Sequence, residues 1–141
     1  MIGETIRNLR EVSPNWYFNV PAGYEMLVEA MKSDKALAES FFRDLKMIMY
    51  AGAAMAEHTW ADLERISADV TGKRVFMASG LGATETAPFA LFSTSHSDVP
   101  GNVGLPSKGL TLKLVPMDGK WDARLKGPSV TPGYWRNEQL T

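Results

Sequence analysis

GLGATETAPFALF, from Gly80 to Phe92, is the stretch on which the reading of this chain turns. It follows RVFMAS, an apolar run suited to a buried strand. Gly80 and Gly82 lead into Thr84 and Glu85, and then into Pro88 and a second apolar run. The pattern predicts a strand, a glycine turn and a helix start with Thr84 and Glu85 in its first turn. Free N–H groups and the positive end of a helix dipole would suit a phosphate there. A threonine hydroxyl can donate to a phosphate oxygen, and a carboxylate can hold Mg²⁺ beside it. The plainer alternative is that Thr84 caps the helix and Glu85 complements its dipole. On these residues alone the plainer reading comes first. Neither standard phosphate cradle is present. The third glycine position of the dinucleotide fingerprint holds Glu85, and TGKR at 71–74 has neither a leading glycine nor the right successor.

A second glycine turn follows the preceding apolar run. MIMYAG suits another buried strand, closed by Gly52 and continued by Ala53 and Ala54. In a doubly wound sheet, ligands bind outside the carboxyl ends of the strands. If the two runs are parallel strands, Gly52 and Gly80 share that rim, and small residues there let a flat ring approach the backbone. Ordinary strand-to-helix turn chemistry explains each turn equally well by itself.

Further upstream, residues 2–12 read as an amphipathic helix with Ile2, Ile6 and Leu9 on one stripe. A β-rich run, Trp16 to Val20, ends at Pro21, and its aromatic cluster reads as strand core. GYEMLVEAMKS is helical, with Leu27, Ala30 and Met31 on one face. Ser33 or Asp34 caps the next helix, which carries Leu37, Phe41 and Leu45. Between the two apolar runs, AMAEHTWADLERISADVTGK reads as a helix with Trp60, Leu63 and Ile66 inward and Gly72 as its C-cap. Methionines 26, 31, 47, 49 and 55 read as core filler.

This order predicts an α/β fold in which part of a parallel sheet is flanked by helices. After Phe92 the character changes. SHSDVPGNVGLPSKG is a turn-rich link, and LTLKLVP and KWDARLKG alternate as the arms of an antiparallel hairpin. GPSVTPGYW is a Gly/Pro-punctuated loop before a helix-like RNEQLT. The expected organisation is an α/β portion over 1–97 and a short antiparallel β segment, the start of a β-rich subdomain, over 98–141. Three parallel strands leave bare edges, and a lone hairpin is marginal.

Composition excludes several classes. With 45% hydrophobic and 22% charged residues, the chain is of ordinary globular type, and a net charge of −1 points to no nucleic-acid or membrane partner. The absence of cysteine removes disulfides, thiolate zinc sites and thiol nucleophiles, and fits a cytoplasmic location. His58 stands in EHTWAD, which has no second histidine, and His96 lies in the turn-rich link, so both read as surface residues. Ser79 lacks a Gly-x-Ser-x-Gly elbow.

Taken together, the motifs resemble a family. GLGATETAPF looks like the central Gly-x-Thr-Glu motif of the adenylate-forming, AMP-binding acyl-CoA ligases. YAGAAM resembles their small-residue adenine-binding turn, GNVGLPSKGLTLKLVP the entry to their β-rich subdomain, and GPSVTPGYWRN their Gly-Pro…Gly-Tyr-Trp loop. LREVSPNWYFNVPAGYEMLVEAM with GLGATETAPFALF resembles the feruloyl-CoA synthetase branch. The resemblance implies ATP, Mg²⁺ and CoA as cofactors and a small aromatic carboxylate, ferulate-like, as substrate. It implies that Gly52, Ala53 and Ala54 line the adenine and acyl pocket, and that Gly80, Leu81 and Gly82 form a nucleotide-binding turn. Thr84 would contact the α-phosphate, and Glu85 would hold the metal. Ala83 stands where the branch commonly has methionine. The family's lysine-bearing phosphate loop, ribose-binding aspartate and C-terminal catalytic lysine are not among these residues. The expectation is therefore an internal piece of a ligase, inactive by itself. The alternative is a non-catalytic remnant that self-associates through its sheet edges.

Overall fold

The computed structural model describes residues 2–141. The chain forms two compact units. One runs up to Ser79 and takes in Ser95–Asn102; the other holds Gly80–Thr94 and Val103–Thr141.

The first unit contains α1 (Ile2–Glu11), β1 (Trp16–Asn19), α2 (Pro21–Ser33), α3 (Lys35–Arg43), β2 (Met47–Tyr50), α4 (Glu57–Thr71) and the first half of β3 (Phe76–Ala83). β2 lies parallel between β1 and β3, with Trp16 opposite Met47 and Tyr50 opposite Ser79. Two right-handed crossovers that step the same way along a sheet put their helices on one face. The helices accordingly touch one another: α1 packs on α2 and α3, and α4 on α2 and α3. Tyr17, Ile48, Tyr50 and Met77 meet this layer, together with Leu27, Leu37, Phe41, Leu63 and Ile66. Strand alternation turns Trp16 and Phe18 the other way, and both are more than half exposed with stacked rings 6.4 Å apart. The expectation that this whole aromatic cluster is core is thus corrected: only the residue of helix-facing parity, Tyr17, packs against it. Met26 is likewise exposed, while Met31, Met49 and Met55 are buried.

Tyr24 ties the helical layer to the strands. It is fully buried, and its hydroxyl lies 2.7 Å from the carbonyl oxygen of Met49 and 2.9 Å from that of Tyr17. Burial, reinforced by repulsion from Tyr17, raises the phenol far above its ordinary value, so it stays a donor.

Asp34 caps α3 by accepting from the Leu37 N–H at 3.0 Å, and it also receives Arg10 Nε at 2.7 Å. These contacts, the Leu37 N–H first and Arg10 second, hold its carboxyl below the usual range. A lowered folded value means a stabilising contribution that is present at neutral pH and lost as pH falls through that value. Asp34→Asn is therefore expected to lower the urea midpoint at pH 7. The gap from the unsubstituted protein should close as pH drops below the ordinary carboxyl value of 3.8. A gap that stays constant with pH would show that the charge of Asp34 contributes nothing.

α4 ends as its sequence predicts, with Gly72 at φ +73° and its N–H on the Ala68 carbonyl at 2.8 Å. No helix among the described residues is long and apolar enough to cross a membrane.

In the second unit, the rest of β3 pairs antiparallel with β4 (Ala87–Phe92), and β5 (Leu105–Pro106) adds to β4. Because β3 runs on from one unit into the other, the strands follow the order β1-β2-β3-β4-β5 in a mixed sheet. β6 (Thr111–Met117) and β7 (Lys120–Lys126) form a separate hairpin. Its two-residue turn has Asp118 at φ +49° and Gly119 at φ +75°, the signs a type I′ turn needs. Leu112, Leu114 and Pro116 pair with Leu125, Ala123 and Trp121 along one face. RNEQLT contributes one 3₁₀ turn, Glu138–Leu140.

The helix expected at Thr84 does not exist. Residues 84–86 form a hairpin turn, and the apolar run after it is β4. Pro88 explains the difference. With Thr84 as N-cap, Pro88 would fall where a helix needs its first intrahelical N–H, which proline lacks, and proline disfavours α geometry at Ala87. Ala87 in fact adopts φ +65°. The turn closes through the Thr86 N–H on the Ala83 carbonyl at 3.1 Å and the Ala83 N–H on the Thr86 hydroxyl at 3.0 Å.

Candidate functional site

Gly52, Ala53 and Ala54 belong to the first unit and leave the carboxyl end of β2, all three exposed. Gly52 sits at φ +89°, a conformation in which a side chain would be strained, so the glycine is set by the turn itself. Two alanines after it put little side chain over the exposed backbone.

The second unit gathers Gly80, Leu81, Gly82, Thr84 and Glu85 on one hairpin. Its glycines have a structural reason. A Cβ on Gly80 would stand 2.8 Å from the Leu91 carbonyl oxygen, and one on Gly82 would collide with the Pro88 backbone. The pairing shifts register between Leu81 and Ala83, the mark of a bulge or irregularity in the ladder. Leu81 is 43% exposed, so its side chain is available beside these glycines.

Thr84 and Glu85 occupy the hairpin tip. Thr84 is exposed, and its hydroxyl bonds no other group among the described residues. Glu85 is half-buried, because the segment 127–134 lies across the tip. The Thr131 N–H donates to the Glu85 carbonyl at 2.8 Å, and the Ser129 hydroxyl donates to the Thr86 carbonyl at 3.2 Å. The Tyr134 hydroxyl donates to the Glu85 carboxylate. Tyr134 is in turn anchored by its N–H on the Thr141 hydroxyl at 3.0 Å. By its residues GPSVTPGYW is a Gly/Pro-punctuated loop. Nothing in its Gly/Pro spacing announces that Ser129, Thr131 and Tyr134 reach back more than forty residues to the hairpin.

The tip suits a metal in one way only. Among the described residues no cluster of three or more His, Cys, Asp or Glu stands at the tip. Mg²⁺ commonly takes one or two carboxylates and completes its shell with phosphate oxygens and water. Glu85 beside a free hydroxyl fits a Mg²⁺ that arrives with a nucleotide. The helix-dipole argument for phosphate binding falls with the helix, leaving the carboxylate, the hydroxyl and exposed backbone. Within the first unit, His58 lies 4.0 Å from Glu25, and the His96 ring lies tilted against Phe76 with centroids 5.1 Å apart.

The fold is that of acid–CoA ligases of known structure. An anthranilate CoA ligase in complex with anthranoyl-AMP superposes with a TM-score of 0.73 and 22% identity, over 99% of this chain and 27% of its own. A benzoate CoA ligase from Burkholderia xenovorans LB400 gives a TM-score of 0.74 and 22% identity, over 99% of this chain and 28% of its own. At this identity the likeness speaks for the fold. The family rests on the sequence: residues 2–135 match the profile of the AMP-binding enzymes, and this chain belongs to that family. The long-chain-fatty-acid–CoA ligase of Thermus thermophilus is 29% identical over 119 residues. That match takes in 70% of this chain and 21% of the Thermus protein.

Proposed function

We propose that this chain supplies the nucleotide- and metal-contacting middle of an ATP-dependent acid–CoA ligase. Family membership supports the reaction class. The observation that carries the assignment is the hairpin tip, which presents a free threonine hydroxyl beside a single, partly shielded carboxylate. In the proposed reaction an acid's carboxylate oxygen attacks the α-phosphorus of ATP, and pyrophosphate leaves with the bond it held. The thiol of CoA then attacks the acyl carbon of the adenylate, and AMP leaves. Glu85 holds Mg²⁺, which when bound neutralises charge on the phosphates. Thr84 donates to an α-phosphate oxygen. Leu81, with Gly80 and Gly82, borders the adenine, and Gly52, Ala53 and Ala54 give the ring and the acyl group room at the backbone. Such chemistry needs positioning and charge stabilisation rather than a protein nucleophile.

The acid is proposed to be a hydroxycinnamate of ferulate type. The support is the likeness of residues 9–31 and 80–92 to the feruloyl-CoA synthetase branch. The relatives above are named for anthranilate, benzoate and long-chain fatty acids, so those acids are the competing substrates.

The family's lysine-bearing phosphate loop is not among these 141 residues. The chain of Met1–Thr141 alone is therefore expected to form no CoA thioester from ferulate, ATP and Mg²⁺. The product of the complete reading frame that carries it is expected to do so, with ferulate preferred over anthranilate, benzoate and palmitate in kcat/KM. Chromatographic detection of the thioester and of AMP checks both. Failure with all four acids would sink the ligase reading, and a preference for another acid would sink the ferulate assignment alone.

A further inference from the structure

We infer that Tyr134 is a positioning residue for Glu85: its hydroxyl fixes the carboxylate at the hairpin tip in the orientation that takes up the metal–nucleotide. The inference rests on the proposed role of Glu85, and it adds a residue to which the motif comparison gave no role.

Three observations within the second unit carry it. First, the segment from Gly127 to Tyr134 is attached to the tip at three successive points. These are Ser129 on the Thr86 carbonyl, Thr131 on the Glu85 carbonyl and Tyr134 on the Glu85 carboxylate. Two of them hold backbone, so the tip keeps its place whatever the side chain of residue 134. The third alone acts on the carboxylate. Second, Tyr134 is itself constrained. Gly133, at φ +153°, accepts the Thr131 hydroxyl on its carbonyl at 3.1 Å, and the Tyr134 N–H is held by Thr141. A free glutamate at a hairpin tip samples several rotamers, and each must be given up when it ligates a metal. A hydroxyl donated to one carboxylate oxygen removes most of that freedom in advance and leaves the other oxygen open. Third, no lysine or arginine pairs with Glu85 among the described residues. The carboxylate therefore keeps its negative charge for a cation, while a neutral donor orients it. An arginine at 134 would orient it equally well and cancel that charge.

The test uses the product of the complete reading frame with Mn²⁺ as a paramagnetic stand-in for Mg²⁺, and ATP as the nucleotide. Free Mn²⁺ is read by electron paramagnetic resonance. Tyr134→Phe is expected to weaken Mn²⁺ uptake in the presence of ATP by about threefold to tenfold, the scale of an outer partner of a metal ligand or somewhat less. In a Glu85→Ala background the same substitution should change uptake by less than about 1.5-fold, because its route is through the carboxylate. A urea titration of the ligand-free protein gives the second readout. Tyr134→Phe should lower the midpoint when Glu85 is present and leave it unmoved when Glu85 is alanine. Uptake indifferent to Tyr134→Phe overturns this inference and leaves the ligase reading standing. Equal loss in both backgrounds assigns Tyr134 to general packing and overturns it too. No Mn²⁺–ATP uptake by the unsubstituted protein sinks the ligase reading and this inference with it, even where the urea cycle shows the contact.

Discussion

Replacing Glu85 by glutamine is expected to lower the rate of acyl-adenylate formation by roughly a hundredfold to a thousandfold, about 2.7–4 kcal/mol of transition-state stabilisation. Glutamine keeps the length of the side chain and an oxygen that can accept from Tyr134. It leaves untouched the backbone carbonyl that receives the Thr131 N–H. What it removes is the negative charge, and among the described residues no carboxylate cluster stands ready to replace it. The fold should therefore hardly notice: a change within about 0.5 kcal/mol is usual for a substitution that disturbs no packing or buried network. Pyrophosphate exchange on the product of the complete reading frame, with the urea midpoint measured alongside, separates the two effects. The Mg²⁺ concentration for half-maximal rate should rise in the variant. A rate within about threefold of the unsubstituted enzyme would remove Glu85 from the proposed metal site, because a ligand to a charge-neutralising ion is not that dispensable.

The residues from Gly80 to Glu85 do share one turn, as their sequence predicts, but that turn joins two strands and opens no helix. The strand–helix alternation from Trp16 to Ser79 was legible because its signals are strong and local: apolar runs for β2 and β3, Asp34 and Gly72 as caps, and 3.6-residue spacing in α2, α3 and α4. The β6–β7 hairpin was legible from strict alternation around Asp118-Gly119. The turn at Thr84–Thr86 was misread because a glycine turn followed by threonine and glutamate also describes a helix start. The decisive signal was Pro88, four residues past the supposed cap, which denies that helix its first hydrogen bond. The contacts of Ser129, Thr131 and Tyr134 with the tip were not legible at all. They join residues more than forty positions apart, and no periodicity encodes such a pairing. The glycines carried two messages at once. Gly80 and Gly82 are demanded by the close approach of β4. Their presence alone was therefore never evidence for a ligand.

Phe41→Ala is expected to cost about 3–5 kcal/mol of stability, the usual loss for truncating a buried phenylalanine to alanine. Phe41 is fully buried in α3, and its ring meets Tyr17 edge-on at 5.1 Å and Phe42 at 4.9 Å. Tyr17 lies on β1, so the ring joins the helical layer to the sheet's edge strand. The neighbours cannot easily collapse into the space. Phe42 is fixed one residue along the same helix, and Tyr17 is held by the strand whose carbonyl receives Tyr24. The lost stability compares with a typical total of about 5–15 kcal/mol, so a large share of the molecules would unfold on modest heating. A fall in Tm of at least about 10 °C, followed by circular dichroism at 222 nm, checks this. Phe41→Leu, which keeps most of the volume, should lose less than half as much. Equal losses from the two substitutions would mean that the aromatic contacts, rather than the filled space, set the cost. The effect on the Gly52 turn follows from the same packing. β2 is held on one side by β1 and beneath by the helices, so loosening that layer frees the carboxyl end from which Gly52, Ala53 and Ala54 project. Phe41→Ala should therefore speed hydrogen exchange at Ile48–Tyr50 by the same free energy it removes from the unit, whereas Glu85→Gln should leave those amides unchanged.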